Sequence, residues 1–351
     1  MAYVAMKGGT EAIEASIKLL ELYRSGCEKE LDIEVIENKM RLLVDRVMAE
    51  AGLYSKTYAA IALRQAEGSI DEAVFLLRAY RSTLTRHYYI EEVDCRQMRV
   101  VRRISAAFKD IVGGQMLGAT YDYTHRLIDF SLDEKKPNVH SNTLLNEQIN
   151  EVLTKPEIYP RVSDLLKEEG LIDEYQPNHQ APFDVTKNIL EFPADRSARL
   201  QTLARADTGF VSGLAYSSLR GFGQIHPTVG ELRCGYIELH VTYLLDSNES
   251  LFIGEILVTE VECFNTVDDK QLKLAVGYGA VFGWNENKAI SIAVIDRELD
   301  NGGIHPVHDE EFVLTHGDSL EMNGFISHLK LPHYVTFQSK LDTVRKTRET
   351  T

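Results

Sequence analysis

The spacing of the apolar residues changes along this chain, and that change is what most limits how it can fold. Ile13, Ile17 and Leu20, and then Ile36, Met40, Val44 and Val47, recur at intervals of mostly three or four residues, which sets each group on one face of a helix. Thr10 is placed to cap the first helix, behind a short apolar start at residues 3–6 and a turn at Lys7, Gly8 and Gly9. Ser69-Ile70-Asp71-Glu72 has the S-x-x-E spacing of a capping box ahead of Ala73 and Leu77. Residues 11–87 are therefore predicted to be mostly helical. Later the period drops to two: Ile237, Leu239, Val241 and Tyr243, then Ile256 and Val258, then Leu272, Leu274 and Val276 alternate with other residues, as half-buried strands do.

Six of the nine prolines, Pro137, Pro156, Pro160, Pro177, Pro182 and Pro193, fall in the polar stretch 131–195. Proline lacks a backbone donor and interrupts regular elements. Three regions follow: a mainly helical 1–130 containing the glycine-rich TYDYTHR segment, a proline-rich excursion or small subdomain at 131–195, and a sheet-containing core at 196–351 that ends in a paired-histidine segment. Residues 285–299 fit a helix better than a strand, although ISIAVI is compatible with both. The fold class is α+β, a largely helical N-terminal region joined to a mixed or antiparallel sheet.

The 351 residues suffice for a core without disulfide or metal support, and the net charge of -15 argues against non-specific binding to nucleic acid or to an anionic membrane. Cys27, Cys95, Cys234 and Cys263 are far apart and form no CxxC, and the N-terminus lacks the long apolar run of a signal peptide. These features read as a reduced, cytoplasmic protein.

Polar residues gather in a few places. Residues 113–126, GGQMLGATYDYTHR, join three glycines to Asp122, His125 and Arg126, with Asp129 close behind. Glycines let a ligand approach the backbone and a guanidinium can clamp phosphate oxygens, yet the segment fits neither phosphate-loop pattern and suits ordinary turns and salt bridges equally well. His328 and His333 are five apart across Pro332, outside the i,i+4 spacing of a helical metal pair, and alone they leave a zinc site incomplete. Glu260 and Glu262 would share one face of a strand, where close carboxylates bind a metal, raise one another's pKa or form an acidic edge. Glu255, His305, His308, Asp309, Glu310, Glu311 and His316 add a further polar group that reads as a ligand source or a loop. Two arginine-rich pieces, RAYRSTLTRH at 78–87 and RVVRR at 99–103, line a polyphosphate pocket or serve as charge on a helix surface. Lys7 beside two glycines has the same ambiguity.

Together, MAYVAMKGG, FLLRAYR, RRISAAFKDIVGGQMLGATYDYTHRLIDF, LAYSSLRGFGQIHP, GYGAVFG and EEFVLTHGDSLEMNGFISHLKLPHYVTFQ closely resemble the PhnI subunit family of the bacterial carbon-phosphorus lyase core complex. The likeness runs from the first residues to about Lys340 and is weakest across 131–195. It implies phosphonate catabolism, in which a phosphonate such as methylphosphonate replaces the base at C1 of the ribose of ATP or GTP. The product would be α-D-ribose 1-methylphosphonate 5-triphosphate, and a lone subunit would act as a purine nucleosidase. It also implies assembly with PhnG, PhnH and PhnJ, two copies per core complex, and the nucleotide-binding PhnK and PhnL. A zinc-like divalent transition metal would be held by His328 and His333 near the PhnJ interface. Carbon-phosphorus cleavage would belong to PhnJ, since this chain lacks the clustered cysteines of an iron-sulfur site.

Chemistry at C1 of a ribose needs a donor for the departing purine and a base for the incoming nucleophile. Asp122, His125 and Asp129 are the acid-base candidates. Lys7, Arg102, Arg103 and Arg126 are the candidates for holding phosphates. A non-catalytic subunit that organises its partners' sites is the alternative expectation, and an independent metal hydrolase using the two histidines is a second.

Overall fold

The structure is a computed structural model that describes residues 9–26, 31–133, 158–172, 180–243, 249–268, 272–330 and 334–349. It shows the α+β class read from the sequence. The chain divides into two compact units, each assembled from separated stretches: residues 1–85, 182–213 and 309–351 form one, and residues 86–181 and 214–308 the other.

The first unit is helical. It contains α1 (Gly9–Ser25), α2 (Ile33–Lys39), α3 (Arg41–Ala51), α4 (Lys56–Gln65) and α5 (Ile70–Thr83). Of the residues expected on the inner faces, Ile36, Val44, Val47, Ala73 and Leu77 are almost fully buried, joined by Met48 and Leu63, while Met40 falls at the cap between α2 and α3 and is exposed; Ala51, Ala59 and Ala60 bring the helix backbones close. Asp32, Ser55 and Ser69 accept hydrogen bonds from Glu34 N, Tyr58 N and Glu72 N, each satisfying a first-turn donor that the helix leaves unpaired. Gly52 ends α3 in the left-handed region at φ 63°, where a residue without Cβ carries no penalty. Thr10 lies inside α1 and not at its cap, and α1 buries none of its residues, so the stripe of Ile13, Ile17 and Leu20 is exposed. The predicted start at residues 3–6 lies outside the described residues.

The second unit is built on a four-stranded antiparallel sheet in the order β1-β2-β3-β4, with β1 (Arg99–Ser105), β2 (Thr228–Thr242), β3 (Ser250–Asp268) and β4 (Leu272–Phe282). β2, β3 and β4 carry the alternation seen in the sequence. β1 is the RVVRR segment, expected as helix-surface charge or pocket lining; Arg102 and Arg103 are buried in a strand instead, met by Asp122 and Glu286 and by Glu231 of β2, while the half-exposed Arg99 pairs with Glu255 of β3. Residues 285–299 are helical as expected, within the helix Glu286–Asn301, which packs on β4 at two glycines. A Cβ at Gly277 would stand 2.2 Å from Ala293 O, and one at Gly279 2.3 Å from Ala289 O. On the opposite face, the helix Val162–Glu168 closes Val162 and Leu166 onto Phe264 and Val276.

In chain order after α5 the helices are α6 (Val162–Glu168), α7 (Arg196–Arg205), α8 (Thr208–Ser217), α9 (Glu286–Asn301), α10 (Glu310–His316), α11 (Ser319–His328) and α12 (Tyr334–Glu349). The polar run around residues 305–311 is not simply a loop. Asp309 caps α10 by accepting from Phe312 N at 2.9 Å. Among the described residues no helix is long and apolar enough to cross a membrane.

Candidate functional site

The register of β1 shifts between Val100 and Arg102 and is regular from there on, so the adjacent Arg102 and Arg103 point to opposite faces of the sheet, as successive strand residues do. Arg102, with Cys234 as its cross-strand partner, turns to the face carrying α9. Its side chain is 3% exposed and touches Glu286, at the start of α9, Nε to Oε1 at 2.5 Å. Nη2 donates to Asp122 Oδ2 at 2.6 Å, and Nη1 donates to the Leu117 carbonyl. The glycine-rich segment is thereby tied to the sheet: Gly118 backbone stands against Arg102 and Val101, and Met116 exchanges two 2.8 Å backbone hydrogen bonds with Arg103.

Asp122 is consequently a fixed, ionised group at an exposed rim. Its bond with the Thr120 hydroxyl, joined by Arg102 and then Arg126, holds its carboxyl below the usual aspartate range. A carboxylate so held can accept a proton, orient a nucleophile or stabilise positive charge, and it is a poor general acid at neutral pH. Arg126, an exposed residue with positive φ of 53°, reaches Asp122 Oδ1 at 3.5 Å. His125 is exposed on the same segment. Asp129 turns away to Ser131, whose hydroxyl donates at 2.6 Å and whose N–H donates at 3.0 Å, and these bonds lower its pKa. The structure thus brings Arg102, Asp122 and Arg126 together and gives Asp129 a local turn partner.

Arg103 has another setting. It is fully buried on the α6 side, where Nε donates to Glu231 Oε1 at 2.6 Å and Nη2 to the Pro160 carbonyl at 3.0 Å. It begins a stripe of charge across the sheet that includes Arg233, Glu260, Glu262 and Tyr278. Glu260 and Glu262 share one strand face, as the spacing predicted. Glu260 accepts from Arg233 Nε at 2.8 Å and from the Tyr278 hydroxyl at 2.8 Å, with Arg161 at 3.3 Å. Glu262 accepts from Ser163 Oγ at 2.6 Å and Ser163 N at 3.1 Å. Burial, against these Ser163 bonds and with Glu260 adding to it, leaves its pKa raised. Burial and Glu260 also push Tyr278 well above the ordinary phenol range. Nothing but backbone periodicity made this pairing visible in advance; the arginine partners come from distant stretches.

The remaining candidates are dispersed. Glu255 pairs with Arg99 at 2.7 Å. His308 is buried against Glu298, Nε2 to Oε2 at 2.8 Å, and Ser218 Oγ donates to the other oxygen of that carboxylate; sequence reasoning missed this trio, whose members are 80 and 10 residues apart. His316 turns onto its own helix at Phe312 O. His328 closes α11 with Nδ1 at the Phe325 carbonyl. Lys7 and His333 lie outside the described residues. Among the described residues no group of three His, Cys, Asp or Glu side chains is placed to hold a metal ion, so these residues alone do not supply a metal site. A cavity of about 710 Å³ in the second unit is lined by Glu91, Glu92, Asp94 and Glu238 with His240, a lining that repels polyphosphate.

The family profile described as "Bacterial phosphonate metabolism protein (PhnI)" matches residues 2–351. The chain is 45% identical to the alpha-D-ribose 1-methylphosphonate 5-triphosphate synthase subunit PhnI of Rhizobium meliloti (strain 1021), over 99% of this chain and 95% of that protein. It is 43% identical to the protein of the same description from Escherichia coli (strain K12), covering 99% and 98%. It is also 43% identical to the putative C-P lyase subunit protein HtxH of Stutzerimonas stutzeri, covering 99% and 96%. With a profile that spans nearly every residue and full-length relatives above 40% identity, the chain belongs to the PhnI family of bacterial phosphonate metabolism proteins.

Proposed function

We propose that this chain is the ribosyl-transfer subunit of a carbon-phosphorus lyase complex, exchanging the purine of ATP or GTP for methylphosphonate at C1 of the ribose. In that reaction a phosphonate oxygen bonds to C1 while the bond from C1 to the purine nitrogen breaks. The bonding pair leaves on the purine, which takes up a proton. The observation carrying this reading is the Asp122 carboxylate, fixed at 2.6 Å on buried Arg102 within an exposed glycine-rich segment, in a chain whose full-length relatives bear the synthase name.

Asp122 would stabilise the positive charge that builds on the ribose and orient the phosphonate, or water in its absence. His125 would donate the proton to the departing purine, and Arg126 would meet phosphate oxygens. Arg102 acts through Asp122 as a positioning residue. The metal expected at His328 and His333 is given no step. PhnG, PhnH and PhnJ would be the core partners, with PhnK and PhnL joining them, and two copies of this chain would be present.

The observation favouring an organising role is the run after His125: Leu127, Ile128, Phe130 and Leu132 are each about 80% exposed. Apolar exposure of this kind in one stretch marks a surface covered by another protein, and it would complete the site from outside. Product analysis by mass-resolved chromatography, with ATP or GTP, with and without methylphosphonate and the partner subunits, tests the proposal. Free base or the ribose phosphonate adduct is expected, and its loss in D122A or H125A with assembly retained assigns the roles. Wild-type turnover in both variants overturns them, and no base release under any condition leaves the organising role.

A further inference from the structure

We infer that the open edge of β2 at Glu238 is a docking site for a basic, extended segment of a partner protein, which pairs with it as an added strand. This surface does not rest on the ribosyl-transfer reading.

The edge is open because β1 stops short of it. β1 follows β2 no further than Arg99, opposite Tyr236. The chain before it leaves the sheet through a 3₁₀ turn at Cys95–Gln97, capped by Asp94, which accepts from Arg96 N at 2.9 Å. It meets β2 again where Glu91 N donates to the His240 carbonyl at 2.8 Å. Strand residues alternate in the side to which their backbone groups point. Glu238, midway between Tyr236 and His240, therefore turns its amide and carbonyl toward the gap, and among the described residues no backbone group bonds to either from that side. A cavity of about 710 Å³ occupies the gap. Ile237 and Glu238 project to opposite faces of the sheet, yet both line it, so the cavity runs along the strand edge. Val93 and Ile158 add apolar wall.

Charge selects the occupant. Glu91, Glu92 and Asp94 form the wall facing Glu238, and among the described residues no lysine or arginine lines the cavity. Asp94 has Arg96, and Glu91 accepts from the hydroxyls of Thr242 at 3.1 Å and Ser250 at 2.8 Å. Glu238 stands directly opposite Glu255 on β3, and like charges so placed destabilise a sheet. Arg99 answers Glu255 at 2.7 Å, whereas Glu238 has, among the described residues, only His240 at 3.9 Å. A lysine or arginine seated in the gap supplies the missing counter-charge. Edge-to-edge pairing with a second copy would set carboxylates against carboxylates, so the partner is a different, basic chain. Strand addition draws affinity from main-chain hydrogen bonds and specificity from alternate side chains. The segment that fits therefore carries basic residues at every second position and apolar ones between them to meet Ile237.

The test is fluorescence anisotropy of a dye-labelled peptide, Lys-Val-Lys-Val-Lys-Val, titrated with the purified full-length chain at physiological ionic strength. Saturable binding is expected. N-methylation of the peptide amides, which keeps its charge and removes its backbone donors, is expected to weaken that binding by about tenfold or more. E238K and E92K are each expected to weaken it to a similar degree, and either serves if the other fails to fold. E14Q, which alters an exposed acid on α1, is expected to leave it unchanged. Absence of saturable binding, equal affinity for the methylated peptide, unchanged affinity in the folded lysine variants, or equal weakening in E14Q each overturns the inference. Spermidine binding as tightly as the peptide also overturns it, and makes the cavity a site for a small polyamine.

Discussion

Arg233 and Glu260 stand directly opposite each other on β2 and β3, and Arg233 Nε donates to Glu260 Oε1 at 2.8 Å in a pair almost wholly shielded from water. Arg103 and Glu231 form a second buried pair at 2.6 Å, a diagonal one, since Arg103 stands opposite Arg233 and Glu231 opposite Ser105. The sheet face under α6 is therefore held by charge as well as by the apolar contacts of Val162, Leu166 and Phe264.

Removing one member of such a pair leaves the other buried and uncompensated, which costs about 3–5 kcal/mol. E260Q should lose stability on that scale in urea denaturation, because it strips a counter-charge from both Arg233 and Arg161. The double variant R233M/E260Q should lose less than the sum of the two single losses. Additive losses would show that the two side chains are energetically independent.

The helix on the other face gives a contrasting pair of glycine substitutions. G277A and G279A each drive a methyl group into the backbone of α9, at 2.2 Å and 2.3 Å from carbonyl oxygens, and should destabilise by about 1–3 kcal/mol. Gly213, inside α8, has nothing within 4 Å of its would-be Cβ. G213A should therefore stabilise by about 0.5–1 kcal/mol through helix propensity alone. Thermal melts of the three variants check both directions.

Two carboxylates should respond to pH with opposite signs. Burial, opposed by Ser163, raises Glu262, so its contribution is complete below the unfolded glutamate value near ~4.3 and is lost as pH rises through the folded value. Compared with E262Q, the wild type should lose stability over that rise. Burial would raise Asp318, but the charge and hydrogen bond of Arg78 outweigh it and lower the pKa. Its contribution is present above the unfolded aspartate value near ~3.9 and disappears as pH falls through the folded one. D318N should flatten the acid limb. Denaturation midpoints measured against pH read both slopes, and parallel curves for variants and wild type would refute the assignments.

In the active assembly, D122N should reduce base release by roughly 10²–10⁴-fold, the range for a positioned acid-base group. R126A should chiefly raise KM for the nucleotide. R102M should lower kcat by releasing Asp122, and should also cost stability because Glu286 loses its cation. Steady-state kinetics on the three variants separate these effects, and an R126A defect confined to kcat would remove Arg126 from phosphate binding.

What the sequence determined was local. The three- and four-residue spacing of Ile36, Val44 and Val47 specifies an inner helix face, Ser69 specifies a start, and the alternation at Ile237, Ile256 and Leu274 specifies strands, because each is a period or a cap written within a few residues. Family motifs carried the identity in the same way. Tertiary structure decided which charges meet. RVVRR shows no apolar alternation, so nothing local marks it as a buried strand; it became one because Glu231 and Asp122, 128 and 20 residues from their arginines, satisfy Arg103 and Arg102. His308 and Glu298, or Arg78 and Asp318, are likewise partners only once the chain has folded. Periodicity is set by neighbours along the backbone, whereas ion pairing depends on distance in space, and that distance exists only in the folded protein.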